Sequence, residues 1–478
     1  MSPAFLEAAR AIVGPEFALA GAAIEPRYLE PARYAPGQAA ALLRPATAAQ
    51  VAELVALAAA HDLTLVPQGA HTGLVRAATP TDARRHVLLA TDRLREHFDF
   101  DPLDRTLRVS AGYKLSEINE RLEPEGLFFP IDLSADPSVG GMLAHNTGGT
   151  RMLRYGDVRA NTLGLAVVLP QGQVLQAGRG LQKDNTGLAL QQLFVGSSGS
   201  LGLITEATLK LHPLPRQRAA ALVAPADVEA VLPLYQALMA SELAGLVSAF
   251  EGISKPALQA ALEHLGRHEK ERGKLFDGQL PEYALLIELA SELPAARLDL
   301  NALLQEVLER EFESGRVVDA VIGADEEIWA LRHSISEGLR DWGKVIGFDI
   351  SLPRRHFMRF RAEGAAWLAQ HFPPARLADF GHLGDGGLHF NLAWPHEAPP
   401  LEAEAMARLR AGINDIVMRL GGSFSAEHGV GPQIQQAYWQ LSDPVGLRLA
   451  GEIQALLNPK QTLGLTRFGP EGAKTCAP

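Results

Sequence analysis

The stretch from Pro137 to Gly202 is far richer in glycine than the rest of the chain. Thirteen of its 66 residues are glycine, about 20%, against 45 of 478 in the whole chain, about 9%. Glycine is costly inside helices and strands, so this density indicates tight turns or backbone pressed against another group. A loop-rich all-β region would also explain the composition. The motifs NTGG (146–149) and GSSG (196–199) instead favour backbone that contacts a ligand, because such amide-rich turns can line an anionic cofactor.

Composition limits the class of protein. A chain of 478 residues with 47% hydrophobic and 21% charged residues is typical of an enzyme of two or three domains. The net charge of −11 argues against a nucleic-acid partner. The single cysteine, Cys476, can form neither an internal disulfide nor an iron–sulfur site. No uncharged run reaches the ~20 residues of a membrane span, and the N-terminus lacks the basic start of a signal peptide. We therefore expect a cytoplasmic location and leave peripheral contact with the inner membrane open.

The spacing of apolar residues predicts both helices and strands. Thr47 and Gln50 form a capping-box pattern ahead of a helix with one apolar face. LTLVP (63–67) predicts a strand that leads into QGAHTG (68–73), a turn suited to an anion. VVLPQGQVL (167–175) predicts a hairpin. From 217 to about 395, helical patterns alternate with short strands, which predicts an antiparallel sheet covered by helices.

Two histidines in the second half of the chain are candidate metal ligands. LHFNL (388–392) has a period of two, so His389 and Asn391 point to the same face of a strand. His382 precedes a Gly-Asp-Gly-Gly turn that can fold back beside it. Two histidines at this spacing with a distant carboxylate form a reasonable ligand set for Zn²⁺ or Mn²⁺. Histidines near a turn more often have other roles, so the spacing alone leaves both interpretations open.

Several ordered motifs together resemble a known family. RYGDVRANTLGLAVVLPQG (154–172), KDNTGLALQQLFVGSSGSLGLIT (183–205), GHLGDGGLH (381–389) and EHGVG (427–431) are similar to the D-lactate and D-2-hydroxyglutarate dehydrogenase flavoenzymes of the vanillyl-alcohol-oxidase superfamily. The resemblance implies an α+β protein with a two-subdomain PCMH-type FAD-binding domain, an antiparallel-sheet substrate domain and a C-terminal helical segment that returns to the FAD domain. The implied divisions are 1–35 (N-terminal helix and loop), 36–215 (FAD-binding domain), 216–420 (substrate or cap domain) and 421–478 (C-terminal segment).

The resemblance also implies where FAD binds. The first loop of the family is usually Gly-Gly-Asn-Thr-Gly, and here Ala70 and His71 replace the second glycine and the asparagine. In other branches of the superfamily a histidine in this loop bonds covalently to the flavin. We favour the interpretation that His71 hydrogen-bonds phosphate or backbone, since the role of a motif residue often differs between families. The implied FAD-binding residues are Pro67, Gly69, Ala70, His71, Thr72, Gly73, Ser138, Gly140, Gly141, Asn146, Gly148, Gly149, Gly156, Gly199, Gly202 and Ile204.

The implied reaction is oxidation of a small D-2-hydroxy acid to the 2-oxo acid, with the C2 hydride passing to flavin N5. A Lewis-acid metal lowers the pKa of the substrate hydroxyl, and a nearby histidine can then accept its proton. By resemblance the metal ligands are His382, His389 and Glu427, and the general base is His428. The alternative for His428 is a histidine that only orients Glu427. The implied substrate-binding residues are Arg332, Ser336, Asn391 and His428.

One departure from the family leaves the substrate open. The guanidinium of Arg332 suits a substrate carboxylate, unless Arg332 is only a surface helix residue. D-2-hydroxyglutarate dehydrogenases often carry a lysine two residues before the aspartate of their Asp-x-Ser-x-Pro motif. Here Gly347 stands at that position and Lys344 lies three residues earlier. We therefore expect D-lactate or a similar acid to compete well with D-2-hydroxyglutarate.

Two other functions remain alternatives. One is a non-redox transferase such as alkyl-dihydroxyacetone-phosphate synthase, which shares the fold, and the other is a flavin-binding partner subunit without turnover. The resemblance implies a quinone, an electron-transfer flavoprotein or a cytochrome as electron acceptor, and no nicotinamide-binding Gly-x-Gly-x-x-Gly motif is evident. A homodimer is left open.

Overall fold

The computed structural model describes residues 2–31, 33–266, 276 and 279–470, so Cys476 lies outside the described residues. The chain forms two compact units. Unit 1 comprises Met1–Gly148, Asp157–Pro213 and His428–Pro478, and unit 2 comprises Gly149–Gly156 and Leu214–Glu427.

Helices and strands are interspersed along the described residues. The helices are α1 (Pro3–Val13), α2 (Ala48–Ala60), α3 (Leu115–Leu122), α4 (Val139–His145), α5 (Met152–Tyr155), α6 (Gln191–Phe194), α7 (Val231–Met239), α8 (Lys255–His264), α9 (Leu300–Glu313), α10 (Asp325–Trp342), α11 (Phe357–His371), α12 (Ala403–Arg419), α13 (Gln435–Leu441) and α14 (Pro444–Leu457). The strands are β1 (Ala18–Leu19), β2 (Gln38–Leu43), β3 (Thr64–Gln68), β4 (Thr81–Ala90), β5 (Phe98–Asp101), β6 (Thr106–Ser110), β7 (Leu127–Phe128), β8 (Thr162–Val168), β9 (Val174–Ala177), β10 (Leu203–Lys210), β11 (His212–Pro213), β12 (Gln217–Pro225), β13 (Val247–Ser254), β14 (Tyr283–Ser291), β15 (Val317–Ile322), β16 (Gly343–Ile346), β17 (Asp349–Ser351), β18 (Arg376–Gly381) and β19 (Gly387–Pro395).

Unit 1 begins with a small sheet that carries the first predicted cofactor loop. Its strand order is β1-β2-β4-β3, and β2 and β3 both run parallel to β4. Helix α2 connects β2 to β3, and its start is the predicted one, because the Gln50 amide donates to Thr47 Oγ1 (3.1 Å). The C-terminal segment joins this sheet. Leu463 forms a parallel bridge to Leu65 and is fully buried in the same core. This confirms the predicted return of the C-terminal segment to the first domain.

The second sheet of unit 1 is antiparallel and carries the glycine-rich region. Its order is β5-β6-β10-β8-β9. The predicted hairpin is present, with Val168 opposite Val174 across the β8–β9 turn. The apolar residues of β10 are all buried, and Glu206, Thr208 and Lys210 alternate with them as half-buried polar residues. The loop of residues 196–202 therefore leads directly into a strand of this core.

Unit 2 is built on one eight-stranded sheet, in which β15-β12-β14-β13-β18-β19-β16 are neighbours and β17 also pairs with β19. The pairings recorded for this sheet are all antiparallel. Helices α8 and α10 cover one face, and α7, α9, α11 and α12 cover the other. The predicted α+β fold class, with an antiparallel sheet between helices, is confirmed. Among the described helices we find none that is both long and apolar enough to cross a membrane.

Candidate functional site

A groove in unit 1 is lined by the glycine-rich loops. The loop after β3 meets the start of α4 so closely that a Cβ on Gly69 would overlap Ser138 Oγ. Ser138 is the N-cap of α4, and its Oγ accepts from the Gly141 amide (3.3 Å). The first turn of α4 thus lies beside the turn that follows β3. Seven of the predicted FAD-binding residues line the groove: Pro67, Gly69, Gly140, Gly141, Gly199, Gly202 and Ile204.

The loop before β10 closes the groove from the other side. Gly199 has a φ of +69°, and a Cβ there would lie 3.1 Å from Pro67 Cγ. Ser198 is also left-handed, with a φ of +52°, and its Oγ donates to the Val430 carbonyl (2.6 Å). Both the backbone conformation and the short distance to Pro67 favour glycine at position 199.

His71 does not present a free ring nitrogen to the groove. Its Nδ1 lies 3.3 Å from the Arg27 carbonyl, and its Nε2 lies 3.2 Å from Thr79 Oγ1. Burial lowers the pKa of His71, which keeps the ring neutral. Because both nitrogens already have protein partners, these contacts support the non-covalent interpretation of His71.

His145, the last residue of α4, also lines the groove and was not predicted from the sequence. Its Nδ1 lies 3.2 Å from the Gly141 carbonyl. Its Nε2 and the Gln68 Oε1 are buried and have no hydrogen-bond partner among the described residues. Buried polar atoms without partners are costly, so these two atoms fit a polar ligand in the groove. The residues present therefore suit FAD. The sequence signal for His145 was its position directly before the NTGG turn (146–149).

In unit 2, His389 lies among carboxylates. Its Nε2 lies 3.5 Å from Glu427 Oε1, and its Nδ1 lies 4.0 Å from Asp349 Oδ1. The other Asp349 oxygen accepts from the backbone amides of Ala426 (3.1 Å) and Glu427 (3.0 Å). One ligand atom from each of Asp349, His389 and Glu427 lies within 4.8 Å of the others. The structure thus brings two predicted metal ligands, His389 and Glu427, together. It adds Asp349, the aspartate of the Asp-x-Ser-x-Pro motif, which was not predicted as a ligand.

His382, the third predicted metal ligand, lies beside this cluster. Its ring centroid is 5.2 Å from that of His389. Its Nδ1 forms an ion pair with Glu251 Oε1 at 2.7 Å. Burial alone would lower the pKa of His382, but the Glu251 carboxylate raises it to about 9. The nitrogen left to face another group is Nε2.

Arg332 is buried in α10, so the alternative of a surface helix residue is wrong. It is 6% exposed, and its Nε donates to Glu251 Oε2. Its guanidinium lies 4.7 Å from the centre of the Phe380 ring. Ser336 is half-buried one turn later on α10. Asn391, 6% exposed, follows His389 by two residues on β19, as its predicted strand requires.

Glu251, which was not predicted from the sequence, links the predicted substrate-binding residue Arg332 and the predicted metal ligand His382. It is fully buried in β13. Burial opposes the charge on this carboxylate, but Arg332 and His382 outweigh it and lower the pKa of Glu251 to about 2. A single glutamate inside an apolar strand pattern was the only local sequence signal.

Two predicted FAD-binding residues, Gly149 and Gly156, fall in unit 2. The Gly149 amide donates to Glu427 Oε2 (3.3 Å), so this glycine contacts a predicted metal ligand. His428, the predicted base, directly follows Glu427 in the chain and begins the last segment of unit 1.

Two family models match successive parts of the chain. The family described as the FAD binding domain matches residues 39–178, and the C-terminal domain of the FAD linked oxidases matches residues 214–464. The chain belongs to the FAD-linked oxidase family and is an oxidoreductase that binds FAD. Its most similar relatives include the mitochondrial D-2-hydroxyglutarate dehydrogenase of Bos taurus, 32% identical over 94% of this chain and 80% of the relative. The D-2-hydroxyglutarate dehydrogenase of Stutzerimonas stutzeri is 31% identical over 88% of both chains.

Solved structures confirm the predicted PCMH-type fold. Alkyldihydroxyacetonephosphate synthase superposes with a TM-score of 0.72 at 17% identity, over 97% of this chain and 84% of the other. A substrate complex of p-cresol methylhydroxylase superposes with a TM-score of 0.73 at 16% identity, over 96% and 94%. At these identities the likeness shows the fold alone.

Proposed function

We propose that the protein is an FAD-dependent dehydrogenase that oxidises a D-2-hydroxy acid to the 2-oxo acid. The observation that carries this proposal is the cluster in unit 2, where His389, Glu427 and Asp349 lie together and a buried Arg332 is linked to His382 through Glu251. Relatives that span most of the chain are named D-2-hydroxyglutarate dehydrogenases. A hydroxy acid needs both a group for its carboxylate and a group for its hydroxyl, and this cluster offers candidates for each.

The groove of unit 1, Arg332 and His428 have separate roles in this proposal. The groove of unit 1 holds FAD, which when bound supplies a hydride acceptor. Arg332 binds a substrate carboxylate through the guanidinium nitrogens that Glu251 does not use. His428 accepts the hydroxyl proton. Holding the carboxylate and the hydroxyl together fixes the direction of the C2 hydrogen, so the L-enantiomers should be poor substrates.

We also propose a divalent metal at the cluster. His389 through Nε2, Glu427 and His382 through Nε2 would hold Zn²⁺ or Mn²⁺, and Asp349 lies close enough to serve as a further ligand or to orient His389. The carboxylates of Asp349 and Glu427 would repel a substrate anion. A divalent cation offsets that charge and lowers the pKa of the hydroxyl. This donor set fits such a metal.

The two alternative functions do not need this cluster. The chemistry of a non-redox transferase of the same fold does not call for a metal, and a non-catalytic subunit needs no buried Arg332. The electron acceptor, a homodimer and a cytoplasmic location remain predictions from the sequence.

Anaerobic reduction of the bound flavin tests the proposal. We expect D-2-hydroxyglutarate and D-lactate to bleach the flavin absorbance of the purified protein, and the matching L-acids to do so far more slowly. A transferase or a non-catalytic subunit would keep its oxidised spectrum with all four acids, and that result would contradict the proposal.

A further inference from the structure

Two buried polar atoms of the groove in unit 1, Gln68 Oε1 and His145 Nε2, have no hydrogen-bond partner among the described residues. Both residues line the groove. A polar atom that is kept from water without a partner costs about as much free energy as a lost hydrogen bond. The group that fills the groove must therefore supply the missing partners, and the chemistry of the two atoms determines what that group is.

Gln68 presents only an acceptor to the groove. It is the last residue of β3 and is 1% exposed. Its side-chain Nε2 donates to two main-chain carbonyls, those of Tyr28 and Ala78, both at 2.9 Å. Because carbonyl oxygens only accept, these two contacts fix the orientation of the side-chain amide. The atom that remains is Oε1, which can accept a hydrogen bond but cannot donate one.

His145 presents an acceptor as well. Its Nδ1 lies 3.2 Å from the Gly141 carbonyl, one turn earlier in α4. The carbonyl cannot donate, so Nδ1 carries the hydrogen of this contact. Burial lowers the pKa of His145, which favours the neutral ring. In a neutral ring with a hydrogen on Nδ1, Nε2 has a lone pair and no hydrogen, so it can only accept.

The side chains around the groove do not supply the missing hydrogens. Among the described residues that line it, only Thr91 and Ser198 carry hydroxyls, and none is a lysine or an arginine. Thr91 Oγ1 donates to the Gln68 carbonyl (3.3 Å), and Ser198 Oγ donates to the Val430 carbonyl (2.6 Å). Both hydroxyl hydrogens are therefore already used, and the donors must come from the occupant of the groove.

The phosphates of FAD cannot be these donors, because phosphate oxygens act as acceptors. The groups of FAD that can donate are the hydroxyls of its ribityl chain and its ribose, the adenine amine and a ring N–H. A hydroxyl hydrogen can rotate toward an acceptor, whereas an N–H of a planar ring has a fixed direction. Both sugar parts also carry neighbouring hydroxyls. Two acceptors in one groove therefore suit a sugar part of the cofactor best.

We propose that Gln68 and His145 are cofactor-binding residues that accept hydrogen bonds from sugar hydroxyls of FAD, in its ribityl chain or its ribose. These two acceptors select a hydroxyl-bearing segment at this place in the groove and not a phosphate. The inference rests on the proposed role of the groove as the FAD site. It does not depend on the reaction that the flavin carries out.

The test compares the affinities of the full-length apoprotein for FAD and for two analogues, measured by the change in flavin fluorescence on binding. One analogue lacks the free hydroxyls of the ribityl chain, and the other lacks those of the ribose. We expect the wild type to bind one of the two at least roughly tenfold more weakly than FAD, since two acceptors then lose their donors. The analogue with this penalty identifies the sugar part that contacts Gln68 and His145.

His145→Phe keeps a ring of similar size but removes the acceptor. It should bind FAD about threefold to tenfold more weakly than the wild type does, the effect of one hydrogen bond. The penalty for the affected analogue should shrink by a similar factor, because the hydroxyl has already lost this partner. Gln68→Met removes the other acceptor and should shift the same ratio. His145→Gln can place an amide oxygen near the position of Nε2, so it should retain the wild-type ratio.

His86→Phe is the matched control. His86 lies on β4 of unit 1, and burial lowers its pKa as well. Its Nδ1 already accepts from the amides of Thr81 (3.0 Å) and Asp82 (3.3 Å), and it is not among the residues that line the groove. A general loss of stability would weaken the binding of FAD and both analogues alike. The ratio of affinities should therefore change in His145→Phe but not in His86→Phe.

The outcomes separate this inference from the proposed function. If no hydroxy acid reduces the bound flavin but the ratio still shifts in His145→Phe, the proposed function fails and the sugar contact stands. If His145→Phe or Gln68→Met binds FAD more weakly with both analogue ratios unchanged, the lost partner was a water or an N–H group, and the inference is wrong. Should these variants fail to fold, a wild type that binds both analogues as tightly as FAD would overturn it.

Discussion

The candidate sites of the two units are built from different materials. In unit 1 the groove is shaped by the main chain and by glycines, which have no side chain to fill it, as at Gly69 and Gly199. In unit 2 the cluster is shaped by buried charges, with Glu251, Arg332 and His382 compensating one another. Backbone turns suit a large cofactor whose phosphates need many amides. Fixed charges suit a small substrate whose reacting atoms need defined partners. Substitutions should therefore act by steric exclusion in unit 1 and by loss of charge compensation in unit 2.

The largest effect is expected for Gly199→Trp, which should abolish FAD retention. The new side chain would fill the groove beside Pro67, which lies 3.1 Å from the position of a Cβ. Gly126→Trp is the control, because Gly126 has nearly the same φ (+67°) but open space around it. Flavin absorbance per protein after purification is the measurement. Full FAD occupancy in Gly199→Trp, with or without an effect of the control, would show that the groove is not the FAD site.

Arg332→Met should cost unit 2 about 3–5 kcal/mol of unfolding free energy, because it leaves Glu251 as an uncompensated buried charge. The control is Arg340→Met on the same helix. Arg340 is 48% exposed in its side chain and pairs only at the surface with Glu337, so its loss should cost at most about 1 kcal/mol. Urea unfolding followed by tryptophan fluorescence measures both. Equal losses in the two variants would contradict the charge-compensation account of unit 2.

The local elements of both units could be predicted from sequence, because their signals lie within a few residues. The sequence pattern predicts a helix from about 444 to 457, and the structure has a helix with those bounds, where Asp443 caps it and Pro444 occupies its first turn. The pattern also predicts a helix over 295–311, but that helix begins at Leu300, since Asp299 accepts from the Ala302 amide (3.1 Å) and acts as the N-cap. That cap was readable in the sequence and was overlooked.

The charged cluster could be predicted only in part, because its pairing is tertiary. His382, His389, Glu427 and Arg332 were identified through motifs of a family. Glu251 and Asp349 were not, since a single acidic residue in a strand pattern says nothing about which distant cation will compensate it. The assignment of Gly149–Gly156 to unit 2 was missed for the same reason. Glycine density cannot show which unit a short segment joins.

Metal removal is expected to lower activity by roughly a hundredfold, since a Lewis acid contributes several kcal/mol to ionisation of the hydroxyl. Chelation should leave FAD in place, because the groove of unit 1 contains none of the proposed ligands. Zn²⁺ or Mn²⁺ should restore turnover with an artificial dye acceptor. Active enzyme without any divalent metal by elemental analysis would show that the charges of unit 2 work without one.

The smallest effect concerns the choice of substrate. Gly347 follows β16, at the position where dicarboxylate-using relatives often carry a lysine, and Lys344 is exposed on β16. A charge-assisted hydrogen bond to a second carboxylate contributes roughly 1.5–3 kcal/mol, or about tenfold to a hundredfold in binding. We therefore expect the wild type to use D-lactate within about tenfold of D-2-hydroxyglutarate, and Gly347→Lys to raise the preference for D-2-hydroxyglutarate by about tenfold or more.

The measurement is kcat/KM for both D-acids with a dye acceptor, and Lys344→Met is the control that should leave the ratio unchanged. A strong wild-type preference for D-2-hydroxyglutarate that Gly347→Lys does not alter would show that Arg332 and its neighbours suffice for the second carboxylate. Specificity would then reside in the buried charges of unit 2 and not at position 347.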